Sequence, residues 1–368
     1  MLSSWDDFPV HQTSLPVRYV ATSDRNFYDR YYFNMHASSD ELFMVMGMGQ
    51  YPNLATQDAF ACVQRGADSY RVVRASKQLG DRMDLSVGPF RVEVLEPLKR
   101  LRFALAENEH GIACDLEWRG AIPAVEENAQ FIRRNGRVLF DTSRLAQTGC
   151  WSGWLKVGSE RFDVTPDRWW GTRDRSWGVR PVGEAEPPGI HAGGPGSLSG
   201  MWNYFPMQFA DHSILFILNE EDSGHVALYD ARRIWNDPAR PIEELGPVVY
   251  EHKLTPGTRM MEGSVVRFPD APGGPIEISC QPLQRAFIAI GTGYGVENDG
   301  RHGMWQGPLV IQGKHYKTSE IAPLGQLTIV DHVARFSYAG RTGYGLYEHA
   351  FIGPFRKFGM KDRADGAS

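Results

Sequence analysis

Phe131-Ile132-Arg133-Arg134-Asn135-Gly136-Arg137-Val138-Leu139-Phe140 sets an Asn-Gly pair between two runs that carry apolar residues. Asn-Gly suits the two-residue turn that joins antiparallel strands, because both residues accept φ > 0. The stretch therefore predicts a hairpin. Period-two alternation recurs in Arg91-Val92-Glu93-Val94, Asp115-Leu116-Glu117-Trp118-Arg119, Ile276-Glu277-Ile278-Ser279-Cys280 and Arg335-Phe336-Ser337-Tyr338. Such alternation marks strands with one face buried. Asp299-Gly300 and Glu109-His110-Gly111 are weaker turn signals.

Helical signals are few. Ala124 to Ile132 has room for a turn or two, and so has Ile234 to Leu245, which Pro238 and Pro241 interrupt. There is no parallel βαβ alternation. Short strands punctuated by Gly and Pro predict an all-β barrel or sandwich. Pro181 to Gly200 holds four prolines and many glycines with almost no bulky apolar residue, which reads as a linker or long loop. Strand-rich segments lie on both sides, so the expected fold is two tandem antiparallel β-barrel domains, residues 1–185 and 196–368. A chain of 368 residues exceeds what one core usually supports. After Pro354 the chain turns basic and polar, which predicts a loosely ordered tail.

Composition excludes several classes. Net charge is −5 and the basic residues are scattered, so no nucleic-acid footprint is present. The best apolar runs, Leu42–Met48 and Ile214–Leu218, are strand-sized, far short of the ~18 residues of a membrane-spanning helix. Met1-Leu2-Ser3-Ser4-Trp5-Asp6-Asp7 lacks the pattern of a signal peptide. Cys62, Cys114, Cys150 and Cys280 lie far apart, as expected of reduced thiols in a cytoplasmic protein. No dinucleotide fingerprint, P-loop, nucleophile elbow or H-E-x-x-H occurs, and the eleven histidines show no ligand spacing. The expectation is a protein with no cofactor and no metal.

The chemistry is expected around Gly171-Thr172-Arg173-Asp174-Arg175-Ser176-Trp177-Gly178-Val179-Arg180-Pro181, a charge-dense segment preceded by Trp169 and Trp170. Large rings exclude water while charges orient a ligand. On a strand, Arg173 and Arg175 face one way, and Asp174 faces the other with Thr172 and Ser176. Asp174 is then either a proton donor, which needs a raised pKa, or the ionised member of an Arg–Asp network. Arg173, Arg175 and Arg180 either clamp a carboxylate or phosphate, or pair with carboxylates such as Glu184 and Glu186.

Trp151, Trp154, Trp169, Trp170, Trp177, Trp202 and Trp235, with Tyr204 and Phe205, either line a cavity or form core. Glu348-His349 and Asp331-His332 are acid–His neighbours that strand geometry points apart. His349 is a candidate to meet Asp174 across the fold. Glu262 in Met260-Met261-Glu262-Gly263 is a candidate pocket border or a surface group. Tyr31, Asn34, His36, Tyr51 and Asn53 either donate to a ligand or, at Tyr51-Pro52-Asn53, make a turn.

The chain resembles the lipocalin-like superfamily of carotenoid 1,2-hydratases and AttH-like proteins. The resemblance lies in Asp29-Arg30-Tyr31-Tyr32-Phe33-Asn34 with Gly49-Gln50-Tyr51-Pro52-Asn53, in the Asp174 segment, and in Tyr347-Glu348-His349-Ala350-Phe351-Ile352-Gly353-Pro354-Phe355. It implies two lipocalin-like β-barrels with an apolar pocket and hydrophobic ligands, isoprenoid, polyene or polycyclic. The hydratase branch carries Tyr-His-Asp-His-Asn-Trp-Gly with the Asp as proposed proton donor. Here the matching residues are Thr172-Arg173-Asp174-Arg175-Ser176-Trp177-Gly178. Asp, Trp and Gly match, but guanidiniums replace both histidines, which counts against carotenoid hydration itself.

The resulting expectation is a cofactor-independent enzyme using acid–base chemistry on a hydrophobic small molecule, of hydratase, lyase, isomerase or cyclase type. Asp174 would be the acid, Trp177, Trp202 and Tyr204 would shape the pocket, and Arg173 or Arg175 would orient the ligand's polar end. Glu348 and His349 complete the candidate binding residues. The alternatives are a non-catalytic lipocalin-like carrier of an apolar ligand and a scaffold with a filled core. Ligand identity, reaction type and oligomeric state are left open by the sequence.

Overall fold

The computed structural model describes residues 1–11, 13–134, 136–181, 199–294 and 297–367. Strands dominate from Phe27 onward. They begin with β1 (Phe27–His36), β2 (Leu42–Tyr51), β3 (Thr56–Arg65), β4 (Ser69–Gln78) and β5 (Ser86–Val87). Next come β6 (Phe90–Glu96), β7 (Arg100–Leu105), β8 (Ile112–Gly120), β9 (Val125–Glu126) and β10 (Gln130–Arg134). The long β11 (Arg137–Val157), β12 (Glu160–Val164) and β13 (Trp170–Val179) follow. Beyond them lie β14 (Gly200–Gln208), β15 (His212–Glu220), β16 (Val226–Trp235), β17 (Glu243–Glu244), β18 (Val249–Leu254), β19 (Met261–Phe268) and β20 (Ile276–Phe287). The chain closes with β21 (Leu309–Tyr316), the helix α1 (Thr318–Gly325), β22 (Val330–Tyr338) and β23 (Arg341–Ile352).

All pairings are antiparallel. One sheet of 14 strands runs β21-β4-β3-β2-β1-β13-β11-β8-β7-β6-β5, with β9, β10 and β12 also on β11. It is nearly closed into a barrel. The other, of 9 strands, runs β17-β16-β15-β14-β23-β22-β20-β19-β18 and forms a half-barrel. The all-β expectation of two lipocalin-like barrels is the fold found. Among the described residues, Val179 ends β13 in the first sheet and Gly200 begins the second, while β21 returns to the first. Most of the Pro/Gly-rich segment, 182–198, including Glu184 and Glu186, lies outside the described residues.

Three cores follow from the strand period. Phe33, Phe103, Trp118 and Trp151 fill the first barrel. Phe205, Phe216, Phe268 and Tyr347 fill the second. Phe43, Phe60, Leu215, Ile217, Phe287 and Val333 pack between the sheets. The two continuous apolar runs belong to strands with both faces buried. In β2, Leu42, Met44 and Met46 face the first barrel while Phe43 and Val45 face the inter-sheet core. In β15, Ile214, Phe216 and Leu218 face the second barrel while Leu215 and Ile217 face the inter-sheet core.

β10 and β11 pair as the expected hairpin, with Arg134 opposite Arg137 and Gly136 at φ +77°; Asn135 lies outside the described residues. Glu109-His110-Gly111 likewise turns β7 into β8. Asp299-Gly300 is not a hairpin turn. It lies in the loop before β21, where the Asp299 carbonyl accepts from Arg74 at 2.7 Å and from Gln306 at 2.8 Å. The two helix-sized segments also differ. Ala124–Ile132 contributes β9 and the start of β10, and Ile234–Leu245 spans the end of β16 and β17. Pairing with β11 and β16 satisfies backbone groups that so short a helix would leave open.

The expected loose tail is anchored instead. Arg259 is 1% exposed and donates to the carbonyls of Phe351 (2.6 Å), Gly353 (2.9 Å), Asp362 (2.5 Å) and Asp365 (2.8 Å). Phe355 and Met360 pack into the second barrel's core. The N-terminal segment is held as firmly. Asp7, fully buried, accepts from Arg173 Nη1 at 2.6 Å and Nη2 at 3.3 Å, and from the Leu98 amide. Arg175 donates to the Asp6 carbonyl (2.9 Å), the Phe8 carbonyl (2.5 Å) and Asp29 (2.5 Å).

Asp7→Ala leaves the Arg173 guanidinium buried without its counter-charge. It should cost about 3–5 kcal/mol in urea unfolding. A loss below about 1 kcal/mol would show that Arg173 does not depend on the N-terminal segment. Arg259→Met removes the donor shared by four carbonyls and should cost about 3 kcal/mol or more. Limited proteolysis should then cut the chain beyond Pro354 faster than in the wild type.

Candidate functional site

The centre of the site is the outer face of β1, β13 and β11. Register sets Tyr32 opposite Asp174 and Arg30 opposite Ser176. On the other flank of β13, Ser176 faces Arg144 and Asp174 faces Ala146. Even-numbered residues of β13 therefore look toward the second sheet, and Arg173 and Arg175 look into the first barrel. Two glycines make this geometry possible. A Cβ on Gly171 would lie 2.0 Å from the Asn34 carbonyl oxygen, which Trp151 Nε1 already contacts at 2.9 Å. Gly178 sits at φ +123°, and a Cβ there would lie 2.1 Å from the Asp141 carbonyl oxygen.

Between the sheets, beside the packed core, is a cavity of about 210 Å³. From the first sheet it is lined by Tyr28, Arg30, Tyr32, Arg144, Asp174 and Arg180. Trp202 and Glu348 line it from the second, and Tyr294 from the loop after β20. The space between the sheets is therefore not completely filled.

Asp174 lies deep in the protein with its remaining surface toward this cavity. Among the described residues nothing donates a hydrogen bond to it. Burial pushes its pKa up to about 7, against the pull of Arg144 and with help from the charges of Glu127 and Glu348. The nearest cation is already committed, since Arg144 Nε donates to Glu127 while its guanidinium lies 5.5 Å over Trp202 and 4.5 Å over Tyr204. Arg173 and Arg175 are spent on Asp7 and Asp29. The Arg–Asp network expected of this segment exists, but Asp174 is not in it.

A second acidic group faces Asp174 from the other sheet. Asp331 on β22 is the cross-strand partner of Glu348 on β23. Tyr32 donates to Asp331 Oδ2 at 2.5 Å, and Trp202 Nε1 donates to Glu348 Oε1. Burial raises both carboxyls above the usual carboxylate range; the charge of Glu348 raises Asp331 further, while hydrogen bonds from Asp331 and Trp202 pull Glu348 back down.

Of the residues expected at the site, Asp174, Trp202 and Glu348 meet at the cavity. Tyr204 packs beside it in the inter-sheet core, under Arg144. Arg173, Arg175 and Trp177 are not there. Trp177 stacks on His11 at 4.5 Å, at the first barrel's N-terminal segment. His349 does not meet Asp174. It faces the second barrel's interior, stacked 5.2 Å from His332 and bonded to the Arg259 carbonyl at 3.1 Å. Trp151 and Trp169 are core, Trp154 lies under Arg161 and Trp235 under Arg240. Glu262 is exposed and pairs with Lys253 at 2.7 Å.

Tyr31, Asn34, His36, Tyr51 and Asn53 do not form a common ligand surface. Asn34 binds Thr172, Tyr51 binds Arg30, and Asn53 caps the carbonyls of Thr22 and Asp24. The sequence reading missed Arg30, Arg144 and the role of Asp331. Arg30 and Asp331 each stood in quoted motifs, but their partners lie on other strands.

Among the described residues no group of three or more His, Cys, Asp or Glu side chains is arranged to hold a metal ion. Among the described residues no helix is long and apolar enough to cross a membrane. The four cysteines are separate thiols.

The fold is that of a putative AttH from Nitrosomonas europaea, at TM-score 0.55 and 11% identity over 90% of this chain and 94% of that one. This bears out the fold implied by the resemblance to AttH-like proteins. Kievitone hydratase from Nectria haematococca gives a TM-score of 0.49 and 13% identity over 88% of each chain. CghA gives 0.45 and 10% over 89% of each, and these two likenesses are too weak to carry an argument. No curated protein sequence matches the chain. Residues 2–361 match the family described as "Family of unknown function (DUF8625)", and the chain belongs to that family.

Proposed function

We propose that this chain is a cofactor-independent enzyme that performs acid–base chemistry on an apolar small molecule held between its two sheets. Asp174 carries the reading. It is a carboxyl with a pKa of about 7, free of hydrogen-bond donors among the described residues and turned toward a cavity. A general acid works best when its pKa lies near the working pH.

In this scheme protonated Asp174 gives its proton to a double bond or an oxygen of the substrate. The substrate electron pair that takes the proton leaves positive charge on the ligand. The ring of Trp202 and the Glu348–Asp331 pair face that charge and stabilise it. Addition of water, which passes its proton to the Glu348–Asp331 pair and thence to solvent, gives a hydratase. Loss of a neighbouring C–H proton to the same pair gives an isomerase, and attack by an internal double bond, followed by loss of a proton from the cyclised cation to the pair, gives a cyclase. In each case a proton from solvent restores Asp174.

The raised pKa has a consequence for stability. In the unfolded chain Asp174 titrates near the ordinary aspartate value of 3.8, and in the native state near 7. Between these values the native state holds a proton that the unfolded chain has released. This group's contribution therefore weakens as pH rises from about 4 to about 7 and stays unfavourable above. Asp174→Asn should unfold at a higher temperature than the wild type at pH 8. The gap should shrink toward zero at pH 4, and at pH 8 it should be on the order of a few kcal/mol. Carboxyl ¹³C NMR should show one aspartate titrating near 7 that the variant lacks. A variant less stable than wild type at pH 8 would mean Asp174 is an ionised structural partner.

Activity is tested by screening isoprenoid, polyene and polycyclic compounds, together with any ligand that native mass spectrometry finds co-purified. With a compound the wild type converts, Asp174→Asn should keep binding and lose about 10²–10⁴-fold in turnover. Unchanged turnover would remove Asp174 from the chemistry. Binding with no product from the wild type would make the protein a carrier.

A further inference from the structure

We infer that the end of the cavity bounded by Arg30, Arg180 and Tyr294 is a carboxylate site, and that the ligand is an apolar molecule ending in a carboxyl group. The inference rests on reading the cavity as the ligand site and adds the chemical class of what enters it.

Arg30 is 2% exposed. Its Nη1 donates to Tyr51 at 2.6 Å and to Asp58 at 2.9 Å, while Nε and Nη2 are buried with no acceptor among the described residues. Arg180 also buries an Nη2 with no acceptor, and among the described residues it has no carboxylate in ion-pair contact. Buried donors without partners are rare and costly, and more so when the group is charged. Both guanidiniums lie against one ring, with Tyr294 at 5.9 Å from Arg30 and 5.5 Å from Arg180. Arg180 also covers Tyr28 at 4.2 Å. Aromatic faces offset some positive charge but leave in-plane N–H groups unfilled.

Charge counting points the same way. Asp58 is the single carboxylate paired with these two guanidiniums among the described residues. His302, beside Tyr51 and Tyr294, is held neutral by burial and by the two arginines. Among groups in direct contact this leaves one positive charge, since Asp174 and Glu348 act on Arg180 only at longer range, and it leaves at least three unfilled N–H groups; together they match one carboxylate, whose two oxygens accept from the guanidinium fork. A doubly charged phosphate would overfill the site. Arg180 is also close enough to Asp174 to bias its ionisation. A ligand anchored by its carboxylate would therefore present the adjoining part of its skeleton to Asp174.

The test uses probes that assume no particular skeleton. Hexanoate, octanoate and decanoate are compared with the alcohols of equal chain length by calorimetric titration of the full-length protein. At least one acid should bind about tenfold or more tighter than its alcohol. Arg180→Gln has no ion pair to lose among the described residues and should fold. It should weaken the acid about tenfold to a hundredfold and leave the alcohol unchanged. Asp174→Asn should keep the preference for the acid, which separates failure of this site from failure of the proposed acid. Equal affinity for acid and alcohol, no binding of any acid, or a preference that survives Arg180→Gln would each overturn the inference. Turnover of a neutral substrate that depends on Asp174 would overturn it while sparing the proposed reaction.

Discussion

Arg173 and Arg175 enter the first barrel as permanent charges, and each requires a carboxylate where water is absent. Asp7 and Asp29 supply them. Strand geometry does the rest. With the two arginines committed inward, the residue between them must face outward, into the space between the sheets. The N-terminal segment, the interior of the first barrel and the orientation of Asp174 are thus one arrangement. Gly171 and Gly178 bracket it, because a side chain at either position would meet a neighbouring carbonyl.

The same arrangement accounts for the acidity of the site. A carboxyl flanked in sequence by two arginines would ordinarily be held ionised. Here both arginines are spent on the opposite face of the strand, and the arginine that shares Asp174's face, Arg144, is bound to Glu127. Burial is left as the dominant influence on Asp174. On the second sheet, Asp331 and Glu348 in cross-strand register are raised as well, both by burial and Asp331 also by the charge of Glu348.

The all-β class, the Asn135-Gly136 hairpin and the division of residues 172–176 between two faces could be read from local period and turn chemistry. The apolar runs Leu42–Met48 and Ile214–Leu218 carry topological information as well. An unbroken run in an antiparallel sheet marks a strand covered on both sides, and these two strands lie where the sheets meet. What could not be read depends on long-range pairing. Arg173 and Asp7 are 166 positions apart, and Tyr32 and Asp331 are 299 apart. The tryptophans, close together in sequence, scatter among barrel core, surface and cavity because each strand sends alternate residues to different places. The tail after Pro354 looked polar and loose because its anchor is backbone carbonyls gripped by Arg259, a contact that composition does not register.

β21 lies late in the chain yet completes the first sheet, pairing with β4 from Tyr70 to Lys77. A ribosome must therefore release nearly the whole second sheet before the edge of the first is covered. Until then β4 presents an unpaired row of amides and carbonyls that another nascent chain could occupy. The two barrels are interlocked in time as well as space. A gene split between the codons for Pro181 and Ser199 would yield a first half lacking a strand and a second half carrying one with nowhere to go.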